Sequence, residues 1–402
     1  MESMPARADA SAGALRIVHV FRAPLGGLFR HVVDLAAEQA RRGHRVGMAF
    51  DSGGCCPRVA EALDHIPGGL SLGLMTAPIA RNPGVSDVAA LLRFRRFLRD
   101  ARPDVVHGHG SKGGVLARAS RVLGAAPAAI RAYTPHGGSF NYKPGGAAHR
   151  LYMAAERAMA PLTDAFLFES AYIGARFDAS VGAAAGLKRV VVNGLGPRDF
   201  EPIAPAPDAA EFFYVGELRA AKGLDTLLEA MARLRRDPAP RLVLVGSGPE
   251  ERRLAERAAA LGLSDRIALP GAMPFRKAAA LGRILVAPSR AESLPYVILE
   301  AAGAGAPMVA TDVGGVPEIF GPFRSRLGPA DDPDDLARRM AATLDRDPAQ
   351  RAAEAEALRR HVAATFTIEA MADGVLDAYC EAIRRRGARP APIRAAPSGE
   401  PA

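Results

Sequence analysis

The stretch that decides the fold runs from Ser289 to Glu318 and reads SRAESLPYVILEAAGAGAPMVATDVGGVPE. It follows a short apolar run, ILVAPS, that predicts a buried strand, and YVILEAAGAG has the leucine and alanine content of a helix. Two glutamates, Glu292 and Glu300, flank this transition. We therefore expect Glu292 in a loop at the end of a strand and Glu300 in the first turns of a helix, both facing one edge of a sheet.

Strands and helices alternate on both sides of this stretch. Apolar runs bounded by Gly, Pro or polar residues predict an N-terminal series of strands at LRIVHVF, HRVGMAF, PDVVHGHG, PAAIRAYTPHG, DAFLFES and KRVVVNG. A second series comprises EFFYVGEL, RLVLVGSG, RIALPG and ILVAPS, with helices expected over 222–236, 249–262 and 275–283. Such alternation predicts an α/β protein with two facing Rossmann-like domains, each a doubly wound parallel sheet.

The Pro- and Gly-rich segment NGLGPRDFEPIAPAPDAAE separates the two series and reads as the interdomain linker. We place the domains at 14–198 and 199–368. A last helix, 369–386, is expected to pack back on the N-terminal domain. We interpret residues 1–13 and 387–402 as disordered tails. Since ligands of open α/β sheets bind outside the carboxyl ends of the strands, the site is expected in a cleft between the domains.

Composition narrows the class of protein. The 402 residues are 49% hydrophobic and 24% charged, and no apolar run reaches the ~18 residues that span a bilayer. The N-terminal residues lack the pattern of a signal peptide, and the three cysteines suit a reducing compartment, so a cytoplasmic protein is expected. The net charge of +9 favours anionic partners, but aromatics are 6% and the basic residues are dispersed, which argues against nucleic acid.

The residue types around the two glutamates suit a nucleotide or a sugar. A carboxylate can accept two hydrogen bonds from a vicinal diol, as in a ribose, and a helix N-terminus favours an anion such as a diphosphate. On these two residues alone an alternative stays open: Glu292 could cap the helix and Glu300 could be solvated.

Several other segments also favour a nucleotide or sugar site. PSRAESLPYVILEAAGAGAPMVAT and DVGGVPE closely resemble the C-terminal signature of family 4 retaining glycosyltransferases, in which seven residues separate two glutamates. Segments YVGELRAAKGLDTLLEA, LVGSGPE, LPGAMP, GGLFRHVVDLA, DVVHGHG and TPHG are similar to other elements of that family, in order. The resemblance covers about 15–385 and implies the GT-B fold, with an acceptor-side domain at 14–198 and a nucleotide-sugar-binding domain at 199–368.

The resemblance also implies roles for individual residues. Lys222 would contact the diphosphate and stabilise the charge on the leaving group, Glu292 would lie by the transferred sugar, and His136 would lie near the reacting sugar. Glu300 would hold the ribose. The other implied donor-binding residues are Gly26, Gly27, Gly216, Arg219, Gly248, Leu294, Pro295 and Tyr296.

Two positions depart from the family pattern. Glu217 stands where members often have an arginine that joins the lysine on the diphosphate, so we expect Glu217 to point away and consider Arg219 as the substitute. Pro295 removes one backbone N–H from the loop between the glutamates, which leaves Leu294 and Tyr296 to supply donors.

Two other patterns have alternative interpretations. His107 and His109 alternate on one strand, and with His31 they suggest a metal, but the sequence shows no further ligand at a metal-site spacing, and we expect neither metal nor cofactor. The basic amphipathic run LLRFRRFLRD, 91–100, fits a crossover helix with its arginines in water, or alternatively a helix on an anionic membrane.

The sequence therefore predicts a retaining, metal-independent glycosyltransferase of the hexosyltransferase type. The donor would be a nucleoside diphosphate sugar, UDP- or GDP-linked, and the acceptor a glycan or lipid-linked glycan in polysaccharide synthesis, with peripheral contact to the inner face of the membrane. Two alternatives stay open, a nucleotide-sugar epimerase on the same fold and a non-catalytic nucleotide-sugar-binding protein.

Overall fold

A computed structural model describes residues 13–80, 84–141 and 145–387. Within them the chain forms two parallel α/β domains, which confirms the predicted fold class. Almost all of the two tails predicted as disordered lies outside the described residues.

The N-terminal domain holds a seven-stranded parallel sheet in the order β3-β2-β1-β4-β5-β6-β7. The strands are β1 Arg16–Val20, β2 Arg45–Asp51, β3 Leu74–Ala77, β4 Val105–His109, β5 Ile130–Thr134, β6 Ala165–Phe168 and β7 Leu187–Val190. The helices are α1 Gly26–Arg41, α2 Pro57–Asp64, α3 Val85–Ala101, α4 Gly110–Val122, α5 Ala147–Met159 and α6 Ala171–Ser180. The strand order reverses between β1 and β4, the place where such sheets bind ligands.

The C-terminal domain holds a five-stranded parallel sheet in the order β10-β9-β8-β11-β12. The strands are β8 Ala210–Val215, β9 Leu242–Val245, β10 Ile267–Gly271, β11 Gly282–Ala287 and β12 Met308–Ala310. The helices are α7 Leu224–Arg233, α8 Glu251–Ala260, α9 Phe275–Ala279, α10 Tyr296–Gly303, α11 Val316–Phe320, α12 Pro333–Asp345, α13 Pro348–Thr365 and α14 Ile368–Arg386. Here the order reverses between β8 and β11.

Three predicted helices are longer than the observed ones. The helix expected over 222–236 is α7, which begins only at Leu224 because Gly223 adopts a left-handed backbone conformation with φ of 64°. A side chain at Gly223 would meet the carbonyl oxygen of Pro288 at 2.1 Å, so the chain turns there before the helix starts. The helix expected over 249–262 is α8, residues 251–260, and the one expected over 275–283 ends at Ala279 because β11 begins at Gly282.

The last helix, α14, crosses from the C-terminal domain to the sheet of the N-terminal domain. Met371, Val375 and Tyr379 are buried in one cluster with Ile17 and Val105. Each buried side chain of this size stabilises the fold by about 1.5–3 kcal/mol relative to an exposed one. This helix therefore ties the end of the chain to the N-terminal domain.

The basic run at 91–100 lies in α3. Phe94 and Leu98 are fully buried against the sheet, whereas Arg93, Arg96 and Arg99 are exposed. In the described part of the chain no helix is both long and apolar enough to cross a bilayer.

Candidate active site

The cleft between the domains is flanked by the N-termini of two helices. A β-carbon added to Gly27, at the start of α1, would lie 3.3 Å from Cδ2 of Tyr296, the first residue of α10. Neither helix has a side-chain cap or an acidic residue in its first turn. The first N–H groups of a helix have no partner within the helix, and together with the helix dipole they favour an anion. Gly26, Gly27 and Tyr296 thus lie together at a place suited to a phosphate group.

Lys222 and Glu292 form an ion pair at the carboxyl-terminal edge of the second sheet. The Lys222 Nζ lies 2.6 Å from Glu292 Oε1, and the Ser289 hydroxyl donates to the same oxygen at 2.7 Å. Arg290 fixes this arrangement, because its Nη1 donates to the Ala220 carbonyl at 2.6 Å and so ties the turn that carries Lys222 to the loop that carries Glu292. The side chains of the pair are 14% and 10% exposed, so the pair is largely buried.

The glycines that follow α10 in the sequence line the back of the Glu292 loop. Gly314 has a left-handed backbone with φ of 59°, and a β-carbon there would lie 1.8 Å from the Glu292 carbonyl oxygen. A β-carbon on Gly315 would lie 1.9 Å from the carbonyl oxygen of Ser293. Backbone can approach backbone this closely only without side chains, so these glycines support the position of Glu292.

Glu300 projects from α10 toward the N-terminal domain, where Arg30 of α1 bonds to it. The Arg30 guanidinium also bonds to Asp199 of the linker and lies 3.2 Å from Asp34 and 5.0 Å from the centre of the Tyr296 ring. Burial raises the pKa of Glu300 to about 7, and the charge of Arg30 partly offsets this rise. The position of Glu300 therefore depends on a residue of the other domain.

The N-terminal side of the cleft is built from buried histidines. His19 Nε2 lies 2.8 Å from the side-chain Oε1 of Gln39, His19 Nδ1 lies 3.0 Å from His109 Nε2, and His109 Nδ1 lies 3.1 Å from His136 Nε2. With the Gln39 amide in this orientation each ring donates to the next toward Gln39, which leaves Nδ1 of His136 as an acceptor. We call Gln39, His19, His109 and His136 the histidine series.

The other two histidines are held separately. His107 contacts the Tyr379 hydroxyl at 2.6 Å and the Thr134 hydroxyl at 2.9 Å, and His31 Nδ1 contacts the Asn193 side-chain oxygen at 3.0 Å. Burial lowers the pKa of His19 and His31 to about 4, and it also lowers the pKa of His107, His109 and His136. All five imidazoles are therefore neutral at pH 7.

In the folded chain other histidines lie close to His107 and His109, as a metal site would require, although the sequence spacing showed no such further ligand. Nitrogen atoms of His19, His107 and His109, and also of His31, His109 and His136, lie within 4.8 Å of one another among the described residues. Both nitrogens of His107 and both of His109 already have hydrogen-bond partners. His107 and His109 thus belong to a hydrogen-bond network, whereas His31 Nε2 is buried without a hydrogen-bond partner among the described residues.

His136 sits in an unusual backbone conformation. Its φ is 51°, and Gly137 and Gly138 follow with φ of 71° and 34°. A non-glycine residue with positive φ is uncommon and is often found at functional sites. This TPHG loop presents the partly exposed His136 at the carboxyl end of β5.

The remaining predicted residues lie around this centre. Gly216 directly follows β8 and has φ of 156°, and a β-carbon on Gly248 would meet the Leu218 carbonyl oxygen at 2.4 Å. The Leu294 carbonyl accepts from Asn193 Nδ2 at 2.8 Å, and Pro295 occupies the N-cap of α10.

Arg219 and Glu217 are paired with each other at 3.1 Å, and both side chains are exposed. Glu217 therefore points into solvent. In this structure Arg219 is engaged by that carboxylate.

Four residues of the site were missed from the sequence, namely Arg30, Glu169, Asn193 and Arg290. Glu169 and Asn193 stand near the carboxyl ends of the predicted strand segments DAFLFES and KRVVVNG, so their strand-end position could have marked them. Arg30 and Arg290 carry no such signal, because their partners Glu300 and Ala220 are distant in sequence.

Family comparisons cover both domains. The family described as "Glycosyl transferase 4-like domain" matches residues 26–196, and the family described as "Glycosyl transferases group 1" matches residues 197–360. Glycogen synthase of Mycobacterium tuberculosis (strain ATCC 25618 / H37Rv) is 27% identical over 393 residues, which cover 91% of this chain and 93% of that protein.

Solved structures share the fold. Sucrose-phosphate synthase from Thermosynechococcus elongatus superposes with a TM-score of 0.74 at 22% identity, covering 92% of this chain and 99% of that one. Anabaena Alr3699/HepE, in complex with UDP and glucose, also has a TM-score of 0.74, at 16% identity, covering 91% and 100% of the two chains. These likenesses confirm the predicted GT-B arrangement of two facing domains.

Proposed function

The chain belongs to the group 1, family 4-like glycosyltransferases and has their GT-B fold, and on this basis we propose that it transfers a sugar, with retention, from a nucleoside diphosphate sugar to an acceptor hydroxyl. One observation carries the proposal. Glu292, paired with Lys222 of the turn before α7, lies on the loop that leads directly into α10, and the uncapped N-terminus of α10 approaches that of α1. A cation and two helix N-termini together suit a diphosphate that carries a sugar.

The donor would span the cleft with its nucleotide on the C-terminal domain. The diphosphate lies beside the N-termini of α1 and α10, where Gly27 and Tyr296 approach each other, in contact with Lys222, and Glu300 accepts hydrogen bonds from the ribose diol. The transferred sugar lies between Glu292 and His136, whose Nδ1 accepts a hydrogen bond from a hydroxyl. The N-terminal domain, 14–198, presents the acceptor, and the C-terminal domain, 199–368, holds the donor.

The reaction balances without a covalent enzyme intermediate. The acceptor oxygen forms a bond to the anomeric carbon while the bond from that carbon to the phosphate oxygen breaks, and its electron pair leaves with the diphosphate. Attack occurs on the face from which the diphosphate departs, so configuration is retained and the departing phosphate oxygen takes the proton. Lys222 and the helix N-termini stabilise the growing negative charge without a metal ion.

The donor class is inferred from a neighbour of the same fold, and membrane contact is inferred from surface charge. A neighbour in the same fold, HepE, was solved with UDP and glucose, which favours a UDP-linked donor over a GDP-linked one. We propose a glycan or lipid-linked glycan acceptor, made or extended at the inner face of the membrane. The exposed arginines of α3, Arg93, Arg96 and Arg99, would provide peripheral contact with anionic lipid.

Thermal shift with UDP-, GDP- and ADP-sugars in EDTA tests the proposal. We expect one donor to raise the Tm of the wild type, and Glu300→Ala to abolish that rise. Glu251→Ala, an exposed glutamate at the start of α8, is the matched control and should bind like the wild type. Stabilisation by no donor, or equal stabilisation of Glu300→Ala, would contradict the assignment of this site.

A further inference from the structure

Glu169 is a buried carboxylate for which the mechanism above has no role. It follows β6 directly and precedes Ser170, whose hydroxyl caps α6 by accepting from the Ile173 N–H. Glu169 is 1% exposed, and within the described residues neither carboxylate oxygen has a hydrogen bond of full geometry. A buried carboxylate that lacks full hydrogen bonding costs free energy, so packing alone does not account for it.

The groups near Glu169 come from both sides of the cleft. The backbone N–H groups of His136 and Gly137 and the hydroxyl of Ser293 lie near enough to favour its charged form. Burial outweighs them and raises the pKa of Glu169 to about 7. The carboxylate thus lies where the TPHG loop meets the residue next to Glu292.

The domains meet tightly around this point. The Glu318 carboxylate accepts from the backbone N–H groups of Ala171 and Tyr172, each at 2.8 Å, and so caps α6 from the other domain. A β-carbon on Gly315 would lie 3.1 Å from the Ser170 Cβ. The Glu318 carboxylate accepts two hydrogen bonds and acts as a structural contact, whereas Glu169, two residues before Ala171, has no hydrogen bond of full geometry on either oxygen.

We infer that Glu169 is a specificity-determining residue that accepts a hydrogen bond from a hydroxyl of the transferred sugar. The inference rests on the proposed function, because His136 and Glu292 define the sugar position there. An ionised carboxylate offers about four acceptor sites, and a sugar hydroxyl is a donor that reaches it when the domains separate to admit substrate and then close around it. A hydroxyl in this place would complete the hydrogen bonding that the protein leaves unfilled.

Calorimetric titration tests this with pairs of probes: UDP and UDP-glucose, GDP and GDP-mannose, ADP and ADP-glucose. The ratio of Kd for the nucleotide to Kd for its sugar isolates the sugar position. We expect Glu169→Gln to weaken binding of the preferred nucleotide sugar by about tenfold relative to its nucleotide, with the nucleotide Kd unchanged. Glu169→Asp keeps the charge on a shorter side chain. Its Kd ratio should therefore lie between those of the wild type and Glu169→Gln.

The Tm of the variants distinguishes a role of Glu169 in sugar recognition from a purely structural role. At pH 8 the ionised Glu169 is buried at a cost, so Glu169→Gln should have a Tm equal to or above that of the wild type. The matched control, Glu318→Gln, should lower the Tm because it weakens the cap on α6, yet leave the Kd ratio unchanged.

Three results would overturn the inference. An unchanged Kd ratio in Glu169→Gln would exclude sugar recognition and leave the proposed function intact. A lowered Tm with parallel loss of nucleotide binding would make Glu169 a structural residue. Failure of the wild type to bind any nucleotide or nucleotide sugar would remove the proposed function and this inference with it.

Discussion

The two sides of the cleft are built from opposite kinds of chemistry. Apart from Arg30 and Glu169, the N-terminal side presents neutral groups, the histidine series and the glycine backbone of α1, which are placed by contacts inside one domain. The C-terminal side presents charges, Lys222 with Glu292 and, on α10, Glu300. Burial keeps the imidazoles neutral, whereas Lys222 is paired with Glu292 and partly exposed. One side thus specifies orientation and the other stabilises charge.

The charged side should be the more sensitive of the two. Lys222→Ala removes the cation beside the leaving group and leaves Glu292 without its partner, so we expect turnover of the identified donor to fall by about 10²–10³-fold. Steady-state kinetics measure this, and Lys277→Ala, an exposed lysine on α9, should behave like the wild type. A loss smaller than tenfold would place the stabilising charge elsewhere.

The backbone behind Glu292 can be tested independently of its charge. Gly314→Ala should destabilise the protein by about 2–5 kcal/mol, because its left-handed φ is combined with a β-carbon 1.8 Å from the Glu292 carbonyl oxygen. Gly262→Ala is the matched control, since Gly262 also has positive φ but open space around it, and it should cost about 1–2 kcal/mol. Chemical denaturation measures both, and equal values would mean that the loop relaxes away from Gly314.

The histidine series can be interrupted at His109, which lies between His19 and His136. His109→Leu leaves His19 Nδ1 and His136 Nε2 without partners, so we expect a loss of about 2 kcal/mol in stability and a lower kcat, since His136 loses its fixed tautomer. His65→Leu, on the surface after α2, should change neither. Unaltered kcat in His109→Leu would show that the series supports the fold and has no part in turnover.

Arg30 of the N-terminal side pairs with Glu300 of the C-terminal side, and the pH dependence of nucleotide-sugar affinity can measure its effect on Glu300. Because the pKa of Glu300 is about 7 and the ionised form accepts from the ribose, affinity for a nucleotide sugar should rise by about tenfold from pH 6 to pH 8. Arg30 lowers this pKa, so Arg30→Met should move the rise to higher pH. Arg41→Met, an exposed arginine of the same helix, should keep the wild-type profile, and a flat profile in all three proteins would show that Glu300 does not titrate on binding.

Local sequence patterns predict individual strands, loops and helices. The run ILVAPS ahead of YVILEAAGAG correctly places Glu292 in a loop and Glu300 in a helix, because apolar period and strand-end residues are local properties. Helix ends were less accurate: the left-handed Gly223 that delays α7 is required by a carbonyl 65 positions further along the chain, at Pro288. No local pattern records such a contact.

By itself, the sequence determined two doubly wound domains, their family, and the residues that stand at strand ends, since periodicity and turn residues act over a few positions. Only the tertiary structure decided which of those residues meet. Arg30 pairs with Glu300 across 270 positions, His136 joins His109 and His19, and Glu169 lies buried where the two domains touch. Hydrogen bonding and desolvation depend on the distances between side chains and on water exclusion, and these exist only once both sheets have folded and faced each other.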